Sequence, residues 1–439
     1  MQRIKILFLL IFALSYPLVS FANPLDILVK KLVEKKIISK EDAKEILAEV
    51  MEEEKLQNEK EKIQVSEIRK QVKEEIENSQ ESLKEKILPR WVKNTKFSGD
   101  MRLRYERQES EENSRENVDR HRGRFRLRYG FETTINEKIK LGLRFASGSG
   151  EQTSTNQTFQ DTFDQKNLWI DRAYIEYKPY KEFALIGGKM KNPFYTTDLV
   201  WDPDINPEGV ALNFIKDFGN STFFVRAGFF PIDESSSDSN DVSLYGIQGG
   251  FSSKLFGMDI KAAAAYYDWH NMKGAKLEDI SPSKEKDTNS LIISDDGARI
   301  FKYNYRIIQP TFEITPLVFN AFERRFPVKI YCDFVNNIVG DVSDNTGWLA
   351  GIKVGEISKP GDFEISYNYR ELEKDAVPAI TTDSDFHGGG TNAKGHKISV
   401  KYSLMKNTII GFTLFNTRSQ EKKDNLKINW LQADLIVKF

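Results

Sequence analysis

After its first two dozen residues the 439-residue chain has no apolar run approaching the roughly 18 residues that a transmembrane helix needs. Helical spans are thereby excluded from the rest of it. A membrane β-barrel is not excluded by the low mean hydropathy of −0.50, because a barrel strand gives only every second residue to lipid. One cysteine, Cys332, rules out an intramolecular disulfide, and its alternating surroundings make it a lipid-facing or buried thiol. The four histidines, His121, His270, His387 and His396, show no metal-ligand spacing, and none lies in a serine motif. No nucleophile–base constellation, metal site or cofactor is therefore expected, and the chain does not read as an enzyme. Neither sign of charge prevails: 64 basic residues face 65 acidic ones, so no general attraction to nucleic acid follows. Glycine is absent before Gly99, which sets the N-terminal fifth apart from the remainder.

The first 22 residues carry an export pattern. Arg3 and Lys5 form a basic start, Ile6–Leu14 an apolar stretch, and Ser20-Phe21-Ala22 a small-residue cleavage site after Ala22. Pro17 breaks the run, which argues against a membrane anchor. Residues 23–90 are rich in Glu and Lys and read as a helical segment. A first helix is expected around 24–36. Ser39 followed by Asp42 marks the N-terminus of a second. Along that second helix Val65, Ile68, Val72, Ile76, Leu83 and Ile87, with Ser79 filling one gap, step 3-4-4-3-4-4, an 11-residue repeat. Such a narrow seam favours an oligomeric coiled coil over a lone solvated helix.

From residue 91 to 439 the period changes to two. Met101, Leu103 and Tyr105 alternate with Arg102 and Arg104; Phe125, Leu127 and Tyr129 alternate with Arg124, Arg126 and Arg128. Phe363–Arg370 and Lys397–Leu404 do the same. One face is apolar and aromatic, the other charged, which suits a sheet between lipid and water. About sixteen antiparallel strands can be placed, and their links alternate short and long. The fold class is thus an all-β transmembrane barrel preceded by an α-helical segment. Two links fit the alternation poorly, a long one near 316–325 and a short one near 340–346. An even strand count puts both barrel ends on the side of the coiled coil, the periplasm.

Several stretches resemble the putative porin family of bacterial outer membranes: Phe97–Arg104, Arg122–Arg128, Asp171–Ile175, Gly187–Phe194 and, most distinctively, Leu199–Gly209 with its sequence LVWDPDINPEG. The resemblance implies a passive outer-membrane channel without naming a solute. It implies a homotrimer, contact with outer-membrane lipid or lipopolysaccharide, and assembly by the barrel-assembly machinery reading the terminal Phe439. It also implies that the loop near 193–206 folds into the lumen as a constriction bearing Asp198, Asp202 and Asp204, with Glu208 at its end. The bases facing it would be Arg102, Arg104, Arg122, Arg124, Arg126, Arg128, Arg144, Arg172 and Lys189. Charge on the lipid face costs about 2–4 kcal/mol per Arg or Lys at the midplane, so these bases are expected to face inward. There they act as a pore filter, with a mild anion preference, or pair with strand carboxylates such as Asp100, Glu106 and Glu176 for stability. The alternatives to a general porin are a phosphate-like anion-specific channel and an outer-membrane tether working through the coiled coil, with peptidoglycan as the contact.

Overall fold

The computed structural model describes residues 24–87, 89–112, 117–234, 241–281, 288–421 and 425–439. The expected signal peptide and its cleavage point at Ala22 lie outside the described residues. The chain divides into two compact units, Met1–Pro89 and Arg90–Phe439.

The first unit is a helical hairpin of α1 (Pro24–Glu34) and α2 (Lys40–Ile87). Lys36, at φ 57°, closes α1, with the amide of Ile37 donating to the Leu32 carbonyl and that of Lys36 to Val33. Ser39 and Asp42 cap α2 reciprocally: each backbone amide donates to the other's side chain at 3.1 Å. Val29 and Ala43 are buried where the two helices meet. Further along, the seam residues Val65, Ile68, Val72 and Ile76 are all exposed and form an apolar stripe.

The second unit starts with one helical turn, α3 (Arg90–Lys93). Its Trp91 carbonyl accepts hydrogen bonds from the Thr95 and Thr133 hydroxyls and so ties the turn to the barrel rim. Sixteen antiparallel strands follow. They are β1 (Thr95–Glu111), β2 (Val118–Thr134), β3 (Ile139–Ser147), β4 (Leu168–Tyr180), β5 (Phe183–Lys189), β6 (Glu208–Phe218), β7 (Ser221–Pro231) and β8 (Ser243–Leu255). The second half comprises β9 (Met258–His270), β10 (Tyr305–Ala321), β11 (Arg324–Asn337), β12 (Thr346–Gly355), β13 (Phe363–Leu372), β14 (Ala393–Met405), β15 (Thr408–Ser419) and β16 (Lys427–Lys438). Each pairs with its sequence neighbour, and β1 pairs with β16 from Asp100↔Lys438 to Glu111↔Lys427, which closes the barrel and leaves no free edge. At the seam the amide of Gly99 donates to the Phe439 carbonyl and the amide of Phe439 to that of Gly99. A Cβ on Gly99 would lie 2.7 Å from the Phe439 ring, so only glycine lets that ring lie across β1.

Alternation of the side chains sorts the two faces. Met101, Leu103, Ile175, Val225, Ile247, Ile352, Ile398, Val400 and Leu431 are exposed on the outer face. Arg102, Arg104, Arg126 and Arg370 are buried on the inner one. This inversion of a soluble protein is what lipid outside and water inside require.

Long and short connections alternate, apart from the longer link 356–362 on the short side, and the two links that fitted poorly are corrected. The stretch 316–325 is not a long link. β10 runs through it to Ala321, and the turn is Phe322-Glu323, at φ 50° and 58°, the left-handed pair of a two-residue hairpin. A register shift between Ile314 and Leu317, beside Pro316, breaks the period-two pattern and disguises the strand. The connection 338–345 accordingly belongs to the long-loop side.

Two of the long connections, 190–207 and 373–392, fold into the loop-side half of the lumen. Leu199, Val200 and Trp201 from the first meet Ala376, Val377 and Ile380 from the second. They pack on wall residues such as Leu244, Tyr267, Ile307 and Leu349. The barrel therefore has an apolar interior core on one side, held by its long connections.

Candidate functional site

The inner face of β1 and β2 begins with charges set directly opposite one another: Asp100↔Arg128, Arg102↔Arg126, Arg104↔Arg124 and Glu106↔Arg122. The two middle pairs are like-charged and repel. Carboxylates converge on them and offset the repulsion. Asp434 of β16 takes a fork from Arg104, Nε to Oδ1 at 2.7 Å and Nη2 to Oδ2 at 2.8 Å. Asp100 accepts from Arg126 at 2.6 Å and from Arg128 at 2.7 Å. Glu106, fully buried, lies 2.8 Å from Arg122, 3.5 Å from Arg104 and 3.6 Å from Arg124. Arg102 donates to the Asn156 side chain.

On β3 and β4 a register shift beside Arg144 makes Asp171 the unpaired extra residue of a bulge, so Asp171 and Arg172 both reach inward. Arg144 pairs with Asp171. Asn206 bridges the two wall residues, accepting from Arg172 at 2.7 Å and donating to Asp171 at 2.9 Å. Of the strand carboxylates expected as partners, Asp100 and Glu106 hold arginines, whereas Glu176 pairs with Lys178.

The loop 190–207 brings its acids to three different places. Asp204 lies 3.2 Å from Arg128 and also accepts from the Thr155 hydroxyl at 3.0 Å. Asp198 pairs across the lumen with Lys397 at 2.7 Å, and its carbonyl accepts from Arg370 at 2.6 Å. Asp202 is 4% exposed and serves the loop itself. Its carboxylate accepts the amides of Asp204 and Ser384, each at 2.8 Å, while its own amide donates to the Thr381 carbonyl. The two loops are thus clasped through Asp202. Burial first, then the nearby carboxylates Asp383 and Asp204, push the Asp202 carboxyl well above the usual carboxylate range. Glu208 stands apart at the start of β6, 2.6 Å from Lys189. Both line a cavity of about 610 Å³ with Asp171, Asp204 and Asn206.

A charged inner wall, an apolar outer face, and a loop that carries acids into the lumen together form the arrangement of a diffusion pore. The family model described as putative porin matches residues 60–119, 111–296 and 323–439. The chain belongs to that family. No curated protein matches the sequence. Among solved structures, OprB of Pseudomonas putida at high pH is similar with a TM-score of 0.54 and 10% identity, covering 79% of this chain and 95% of that one. OmpF of Salmonella typhi in complex with daunomycin gives 0.44 at 10% identity over 79% and 97%. A loop-deletion form of OmpT from Vibrio cholerae gives 0.43 at 11% over 79% and 100%. The likeness to OprB is one of fold.

Several side chains that complete this site were not singled out from the sequence. Asp434 and Asp385 reach Arg104 from 330 and 281 residues away, the latter at 3.0 Å. Arg370 lies over the Phe386 ring at 3.5 Å and donates to Asp383 at 2.9 Å. Strand parity marks Asp434 as inward, since it alternates with Ala433 and Leu435, and marks Arg370 likewise, since it follows Tyr367 and Tyr369 in the alternation. Nothing local marks Asp383 or Asp385.

Proposed function

We propose that this family member is a general outer-membrane porin, a passive path for small hydrophilic solutes and ions. The observation that carries the reading is the inverted barrel, apolar outside and charged inside, with loop 190–207 folded into it. On this reading the loop is the constriction. The arginines of β1–β4 and the loop acids set a transverse field that orients dipolar solutes and disfavours large apolar ones. Family and fold point to a channel rather than an enzyme.

As such a porin the barrel sits in the outer membrane after export through residues 1–22, contacts lipid or lipopolysaccharide, and presents Phe439 to the assembly machinery. Its long connections lie outside the cell. The exposed stripe Val65–Ile76 supports self-association of α2 as a periplasmic coiled coil, and a homotrimer is the expected assembly. That stripe also supports a second reading, in which α2 contacts the cell wall and the barrel is its anchor.

Swelling of liposomes containing the refolded full chain tests the pore. Uptake that falls with solute size supports a diffusion porin, and uptake confined to a single anionic solute would favour the specific channel. Deleting residues 24–88 separates the tether. Envelope detachment with unchanged swelling is expected if the coiled coil holds the membrane to the wall, and intact envelopes would discard that role.

A further inference from the structure

The turn-side half of the lumen carries a second set of bases, on the wall opposite the arginines. Arg226 of β7, Lys261 of β9, Lys329 of β11, Lys353 of β12 and Lys401 of β14 follow one another around the inner face. Lys329 and Lys353 are direct cross-strand partners. Three carboxylates stand among them, and one, Asp198 of the inserted loop, is taken by a further lysine, Lys397, at 2.7 Å. Glu313 takes Lys329 at 2.7 Å, and Glu364 is shared between Lys401 at 3.2 Å and Lys353 at 3.5 Å. Arg226 and Lys261 have no carboxylate within ion-pair distance among the described residues. They rest on aromatic faces instead, Arg226 over Phe224 at 4.4 Å and Lys261 over Tyr195 at 3.5 Å.

Exposure separates this arc from the arginine wall. Side chains of Arg104 and Arg126 are 5% and 10% exposed and tied to carboxylates. Those of Lys329, Lys353 and Lys401 are 34%, 36% and 44% exposed. The lysines border a cavity of about 330 Å³, roofed by Thr197 and Asp198 of the inserted loop and hemmed by the hydroxyls of Ser366, Ser399 and Tyr331. Solvated ammonium groups in excess over carboxylates, at a site with neutral donors, suit a small multivalent anion more than a cation or a neutral solute.

We propose that Lys329, Lys353 and Lys401, flanked by Lys261 and Arg226, form a binding site for small multivalent oxyanions in the turn-side lumen, and that this arc sets the ion preference of the pore. The assignment of ion preference rests on the porin reading; the binding site does not. The lysines are the more exposed charges, so the more conspicuous but largely buried arginine rows contribute little to ion sign.

Inorganic phosphate is the probe, used with the refolded full chain. Equilibrium dialysis measures its binding, and salt-gradient bilayer recording measures reversal potential and phosphate block. Wild type is expected to bind phosphate, and the variant combining Lys329→Gln, Lys353→Gln and Lys401→Gln to bind at least about tenfold more weakly. Glu364→Gln, which unmasks two lysines, is expected to bind more tightly. Since this change adds net positive charge without removing a lysine, it keeps the test open should the triple variant fail to fold. In recordings the triple variant shifts reversal toward cations while Arg124→Gln shifts it little. Phosphate binding without conductance would support the site while removing the porin reading. No binding by wild type, or equal binding by wild type and all lysine and glutamate variants, would overturn the site. A reversal potential moved only by Arg124→Gln would overturn its control of ion sign.

Discussion

The β1–β4 wall and the turn-side arc opposite it carry side chains of the same sign in opposite states. On the first, arginines stand in register and largely buried, with Asp100, Glu106, Asp171, Asp204, Asp385 and Asp434 taking up part of their charge. On the second, Lys329, Lys353, Lys397 and Lys401 face Glu313, Glu364 and Asp198, and all but Lys397 are a third or more exposed. The difference follows from chemistry. Arginine's planar fork holds two carboxylate oxygens at once and tolerates burial, whereas an ammonium group on a flexible stem is strongly hydrated. A dense row of charges is thus no guide to where free charge lies. The wall most conspicuous in the sequence is the more buried and braced, and on the proposed reading the quieter one carries the charge that solutes meet most directly.

The largest effect that would break this contrast comes from Glu106. Glu106→Ala leaves Arg104, Arg122 and Arg124 without their shared strand carboxylate, and removing one partner of a buried pair costs about 3–5 kcal/mol. Denaturant-induced unfolding in detergent, followed by the gel shift of the folded barrel, measures it. A loss under about 1 kcal/mol would mean that the arginines are solvated, like the lysines. Next comes the outer face: Ile398→Arg, on the lipid side of β14, is expected to cost about 2–4 kcal/mol in bilayer refolding titrations. An unaffected midpoint would contradict the assignment of faces.

A smaller effect concerns the clasp between loops 190–207 and 373–392. The folded carboxyl of Asp202 holds its proton more tightly than an unfolded one, from a reference of 3.8. The clasp is therefore firmest at acid pH and weakens as pH rises from the ordinary carboxylate range through the raised value, by at most about 1.4 kcal/mol for each pH step of one within that window. Proteolysis of loop 373–392 across that window should accelerate with pH, and Asp202→Asn should flatten the profile. The smallest effect is Lys353→Gln. A half-exposed ion pair contributes under about 1 kcal/mol, so the unfolding midpoint should barely move. An unmoved midpoint there sharpens the contrast with Glu106→Ala.

Much of this architecture could be read from the chain. Period-two alternation gave the inward placement of Arg102 through Arg128 and the outward placement of Met101 or Ile398, because parity along a strand is a local property. The helix start at Ser39 was legible for the same reason. Pairing was not. Asp434 meets Arg104 only because the last strand closes on the first, and closure is a property of the whole ring. Pro316 and its register shift hid the end of β10. The inward fold of 373–392 was missed because its flanks are polar, although Ala376-Val377 and Ala379-Ile380 form an apolar patch unusual for an external loop.

Single-channel recording of the refolded full chain in a planar bilayer tests the central claim most directly. Discrete, persistent conductance steps are the expected result, in groups of three if the protein is a trimer. A protein shown by its gel shift to be folded in the membrane, yet passing no current over a wide range of voltage and salt, would contradict it.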